Sequence, residues 1–122
     1  MANKGDDISD RLLEFAARIM KLADSLKPTP AAKHVSLQIV RSATSAGANY
    51  EEARGAQSQN DFTHKLAISL KELKETHYWL RLIRRANMIA PDRMDLILAE
   101  GEELTKIIAK SIVTTKKLTP GR

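Results

Sequence analysis

Four stretches of this chain place apolar side chains at the three- and four-residue spacing of an α-helix, and only short breaks separate them. The breaks have plain chemical causes. Lys27-Pro28-Thr29-Pro30 removes amide donors and disfavours helix ahead of each proline, while Thr29 followed by Pro30 is a favoured start for the next helix. Gly55 reads as a left-handed terminator, Ser58 or Asn60 as the cap that follows, and Asn87 to Pro91 as a turn. Helices are therefore expected over about residues 8–26, 30–54, 59–87 and 91–118, between a disordered polar start at 1–7 and a frayed end at 119–122. Connections this short make neighbouring helices antiparallel. The expected fold class is all-α, an antiparallel up-down-up-down four-helix bundle forming a single domain over 8–118. A length of 122 residues suits one compact core and is short for two.

The apolar positions sort by helix face. Ile8, Leu12, Phe15, Ala16, Ile19, Leu22, Ala23 and Leu26 form the first stripe, and Leu13, Ala17 and Met20 widen it toward a second neighbour. In the second helix Val35, Ile39, Ala43, Ala46 and Tyr50 face a core. Val40, Thr44, Gly47 and Glu51 form a mostly small stripe that another helix can approach closely, and Gln38, Arg41, Ser45, Asn49 and Glu52 a polar one. Ser, Thr, Asn and Gly have modest or poor helix propensity, so tertiary contacts must hold this helix. Phe62, Leu66, Leu70, Leu73, His77 and Leu80 line the third helix, with Ile68, Trp79, Leu82 and Ile83 adding apolar surface elsewhere. Met94, Ile97, Leu98, Leu104, Ile108 and Ile112 line the fourth.

The formal net charge is +5 and is unevenly placed: residues 58–90 carry six basic and three acidic side chains, whereas residues 1–30 carry five of each. A basic excess attracts nucleic acid, anionic membrane or acidic protein. The chain has no cysteine, which removes disulfides, thiolate metal sites and Cys nucleophiles and fits a reducing compartment. MANKGDD lacks an apolar signal core, and no run reaches the roughly 18 apolar residues of a membrane span. A cytoplasmic protein without a membrane partner is the expectation.

On the third helix Lys71, Lys74, Tyr78, Arg81 and Arg85 share one face. Four cations around an aromatic ring can follow a phosphate backbone, with Tyr78 stacking on an unpaired base; the plainer alternative is a solvated cationic face. Arg84 falls toward the core side. A second face mixes Ile68, Glu72, Glu75, Trp79 and Leu82, which suits a subunit interface, since tryptophan is enriched at energetically dominant interface positions; alternatively Trp79 caps the core and the glutamates reach water. Arg41, Asn49 and Glu52 of the polar stripe are further candidates for a subunit or partner interface. Asp61 and His64 form half of a carboxylate-bridged metal motif, too little for a site, and His77 is expected to be a hydrogen-bonded core residue. Glycine-rich phosphate loops, nucleophile motifs and paired catalytic carboxylates are not evident. Neither an enzyme nor a cofactor or metal is expected.

The segments Arg41-Ser42-Ala43-Thr44-Ser45-Ala46-Gly47-Ala48-Asn49-Tyr50-Glu51-Glu52 and Ser69-Leu70-Lys71-Glu72-Leu73-Lys74-Glu75-Thr76-His77-Tyr78-Trp79-Leu80 carry a resemblance. They are similar to the four-helix-bundle proteins encoded by intervening sequences of bacterial 23S ribosomal RNA genes, and more distantly to the accessory protein of diversity-generating retroelements. The resemblance implies a bundle assembled as a homopentameric ring, with a basic surface for nucleic acid and no catalytic site. Ala53 and Ile68 stand where many members have glycine. The function expected is a non-enzymatic oligomeric helical protein that binds RNA or DNA weakly through the basic face of the third helix. The alternative is a scaffold whose polar stripe docks a partner protein such as a polymerase.

Overall fold

The computed structural model describes residues 4–117, which form four α-helices: α1 Lys4–Asp24, α2 Pro30–Arg54, α3 Gln59–Arg85 and α4 Asp95–Lys117, the last entered through a 3₁₀ turn at Pro91–Met94. No strand occurs among the described residues. The helices touch in the order α1–α2, α2–α3, α3–α4 and α4–α1, with no diagonal contact between backbones, as an up-down-up-down bundle requires. The pair α2–α3 is the most intimate and α1–α4 the least.

Helix ends follow local chemistry. Thr29 Oγ1 accepts from Ala32 N at 3.1 Å with Pro30 opening α2, and Ser58 Oγ accepts from Asp61 N at 3.1 Å to open α3. Helix α1 begins at Lys4 rather than near Ile8, so residues 4–7 of the expected disordered start are helical. Asp6 and Asp7 suit the positive end of the helix dipole, and Arg54 of α2 pairs with Asp6. The remainder of that start and the expected frayed end lie outside the described residues. Gly55 ends α2 at φ −95°, so it is not the left-handed terminator its identity suggests; its N–H reaches Glu51 O at 3.3 Å and Glu52 O at 3.2 Å. The left-handed residue is Asn87, at φ 56°. Asn87 N donates to Arg84 O at 3.1 Å and Met88 N to Ile83 O at 3.0 Å, the paired bonds of a Schellman motif that stops α3 two residues before its expected end.

The core stripes pack as their spacing requires: Leu12, Phe15, Ile19, Ile39, Ala46, Leu66, Leu73, Leu80, Ile83, Leu104 and Ile108 are buried. Between α2 and α3 the contact is made by small residues and sealed with hydroxyls. Ser42 Oγ and Thr76 Oγ1 lie 2.7 Å apart, and Ser69 Oγ donates to Ala46 O at 2.8 Å; all three side chains are fully buried. Thr76 Oγ1 also reaches Glu72 O at 2.9 Å and Ser42 Oγ reaches Ile39 O at 3.2 Å. Two hydroxyls hold only two protons, so the long Ser42–Ile39 contact is the one left weakest. These bonds satisfy the polar groups that a close approach of α2 and α3 buries.

Candidate nucleic-acid interface

Helix α3 has two polar faces with opposite fates. Its acids turn toward α2. Arg41 NH1 meets Glu72 Oε2 at 3.1 Å, Arg41 NH2 pairs closely with Glu75, and Trp79 Nε1 donates to Glu75 Oε2 at 3.0 Å. Glu72 is buried in this arrangement. The Trp79 hydrogen bond, and then the Arg41 guanidinium, hold the Glu75 carboxyl below the usual carboxylate range. The hydrogen bond that Arg41 donates to Glu75 in turn raises the Arg41 value. Trp79 is half-buried, with His34 and Tyr78 edge-on to its ring at centroid distances of 5.9 and 5.0 Å. Of the residues expected at an interface, Arg41, Glu72, Glu75 and Trp79 thus form one intramolecular network. Asn49 instead donates to Ser45 O at 2.9 Å, and Glu52 pairs with Lys65 at 2.8 Å.

The cations of α3 face the other way. Lys71, Lys74, Tyr78, Arg81 and Arg85 are all exposed along a stripe of about 21 Å at the helical rise. Lys74, Arg81 and Arg85 form no ion pair among the described residues, whereas Lys71 lies near enough to Glu75 to help lower its carboxyl. The acids of α3 that would have neutralised this stripe are spent on Arg41.

Two residues differ from their sequence expectation. Arg84 is exposed rather than turned to the core, and with Arg81, Asp95, Leu98 and Glu102 it lines a hollow of about 310 Å³ between α3 and α4. His77 is not a hydrogen-bonded core residue: its ring is half-buried beside the same hollow, and Nδ1 is buried with no hydrogen-bond partner. A smaller hollow of about 270 Å³ adjoins it, sharing His77 and Glu102 and adding Lys74, Thr105 and Lys106. Helical spacing on α3 alone could not show this groove, because α4 supplies half of it.

On the opposite side of the bundle, Leu13, Ala17 and Met20 of α1 meet no second helix of their own chain. Leu13 is 70% and Met20 48% exposed, and they flank a hollow of about 570 Å³ floored by Leu12, Ala16 and Gly47. A methyl group at Gly47 would sit in ordinary contact 3.7 Å from Leu12 Cβ. Among the described residues no group of three or more His, Asp or Glu is placed to hold a metal ion. No helix among them is long and apolar enough to cross a membrane.

By its fold the chain is an antiparallel four-helix bundle, and it carries an exposed cationic stripe on α3. Residues 6–110 match the sequence model of the 23S rRNA-intervening sequence protein, and the chain belongs to that family. Among solved structures it is similar to a protein of unknown function from the S23 ribosomal protein family of Bacteroides thetaiotaomicron. That likeness has a TM-score of 0.83 at 41% identity and covers 90% of this chain and 98% of the other. A comparison with curated proteins finds no match. Neither the family nor the structural relative is described as an enzyme.

Proposed function

We propose that this chain is a non-enzymatic nucleic-acid-binding bundle that grips the phosphate backbone through Lys71, Lys74, Arg81 and Arg85, with Tyr78 stacking on an unpaired base. The observation that carries this reading is the division of charge on α3. Arg41 pairs with both Glu72 and Glu75, while Lys74, Arg81 and Arg85 are exposed and form no ion pair among the described residues. Tyr78, 54% exposed and braced by Trp79, stands within the stripe as a flat platform. The scaffold alternative has less support, because Arg41, Asn49 and Glu52 are already bound to neighbours in their own chain.

Self-association belongs to the same proposal. A ring needs two different surfaces that meet head to tail; Leu13, Met20 and Leu37 on α1 and α2 offer exposed apolar side chains for one, and Leu96 and Val113, at opposite ends of α4, are candidates for the other. The copy number follows from the mass in solution.

The test is fluorescence anisotropy with single-stranded RNA, duplex RNA and duplex DNA at two salt concentrations, on nuclease-treated protein. If four cations per copy each neutralise one phosphate of a single strand, affinity falls with salt at a log–log slope of about 3 per copy. The double variant Lys74→Glu/Arg81→Glu should bind none of the three while keeping its helical circular dichroism. Binding that survives this charge reversal would exclude the α3 face. A protein captured with the chain that remains after nuclease treatment would instead favour the scaffold.

A further inference from the structure

Resting on the nucleic-acid reading above, we infer that the groove between α3 and α4 is a pocket for an unpaired guanine, so that the interface discriminates one base. The groove holds charges of both signs. Arg81 and Arg84 stand on the α3 wall, and Asp95 and Glu102 on the α4 wall. All four are exposed, and no ion pair joins them, so each remains open to a ligand.

A phosphate alone fits this composition poorly, because two carboxylates would repel it. A ligand that presents paired acceptors and paired donors uses every wall. A guanidinium offers a fork of donors and seeks two adjacent acceptors. A carboxylate offers two acceptor oxygens and seeks two adjacent donors. Guanine has adjacent acceptors at O6 and N7 and adjacent donors at N1–H and the 2-amino group. Adenine, cytosine and uracil each lack an adjacent pair of ring and amino donors, so none of them satisfies both walls. Arginine to guanine O6 and N7 is also the commonest specific contact of proteins with bases.

The rest of the groove suits the same ligand. Leu98 and Ala99 give the ring an apolar surface, and single-stranded nucleic acid can turn an unstacked base outward. His77 and Glu102 line both hollows, so a base against Arg84 would leave its phosphate toward Arg81 in the first and toward Lys74 and Lys106 in the second. His77, which lines both hollows, has a buried Nδ1 without a partner, which is uncommon for a nitrogen inside a folded protein.

The experiment uses the whole chain and short oligouridine RNA carrying one central G, A or inosine, with binding followed by anisotropy. The expected result is that G binds tighter than A by about tenfold or more, since adenine offers neither the paired acceptors nor the paired donors. Inosine, which lacks the 2-amino donor, should fall between them. Glu102→Gln should bring the G-to-A affinity ratio down to about the inosine-to-A ratio, because the arginine wall still reads O6 and N7. Oligonucleotides that bind with no difference among the bases would overturn the guanine pocket and leave the α3 face standing. If none of them binds even at low salt, the α3 reading fails and the pocket with it.

Discussion

Asn87 is the residue whose backbone departs furthest from what its neighbours adopt, and it sits where the chain must turn from α3 into α4. A side chain crowds the following carbonyl in the left-handed region, at about 1–2 kcal/mol for most residues; asparagine tolerates it because its short amide can bond locally. Asn87→Ala should therefore destabilise the bundle by about 1 kcal/mol, and Asn87→Gly should cost less or nothing. Urea denaturation followed by circular dichroism measures both, and equal stabilities for the two variants would count against the backbone explanation. Sequence spacing marks Asn87 to Pro91 as a turn without naming a left-handed residue in it, and expects the left-handed position at Gly55, at the end of α2, because glycine is its usual occupant. Bond pattern decides the matter: Met88 N to Ile83 O closes the motif at Asn87, while α2 stops at Gly55 with φ negative. Phe15 and Gly101 show a similar limit. Gly101 leaves a gap in the α4 stripe, and Phe15 of α1 fills it, with its Cζ 3.2 Å from where a methyl group at Gly101 would lie. Sequence spacing shows the gap but not which helix fills it.

At the scale of an element, the two glutamates of α3 are held by an arginine of its neighbour. The two glutamates and the cations of α3 are interleaved along the chain, helical spacing puts them on separate faces, and Arg41 of α2 lies opposite Glu72 and Glu75. Trp79 completes the pairing through its indole N–H. The sequence assigned these residues to stripes on two helices, and the stripes were right; the register that joins them is a property of α2–α3 packing. This network also predicts how stability responds to acid. Glu75 has a depressed value in the folded chain, so its contribution is present above the ordinary glutamate value of about 4.3 and is lost as pH falls through the depressed value. Wild-type protein should thus lose more stability between neutral and acidic pH than Glu75→Gln, which has no carboxylate to protonate at that position. Trp79→Phe removes the largest of the interactions that lower Glu75, and its acid loss should lie between those of the wild type and Glu75→Gln. Denaturation midpoints across the pH range check the order, and parallel curves for all three would show that the network does not couple to protonation.

For the whole molecule, the arrangement of faces matters more than any single contact. The cationic stripe lies on α3, whereas the apolar hollow lies between α1 and α2, the edge of the bundle opposite the α3–α4 groove. Copies joined through the hollow would therefore leave every α3 stripe uncovered, and a long strand could engage several at once. Linking weak sites in this way raises apparent affinity by about 10²–10⁴ without adding a contact at any one of them. Two lengths of RNA separate this effect from the strength of a single site. Leu13→Glu with Met20→Glu puts charge into the apolar hollow and should reduce the mass measured by light scattering to that of one copy, without touching α3. An oligonucleotide short enough for one stripe should bind the variant as it binds the wild type. A strand long enough to span several copies should lose at least the lower part of that gain. If the mass falls and the long strand still binds as tightly, each α3 face acts alone and assembly serves some other purpose. If the mass does not change, the subunits meet elsewhere, and the exposed set on α4, Leu96 and Val113, is the next place to put a charge.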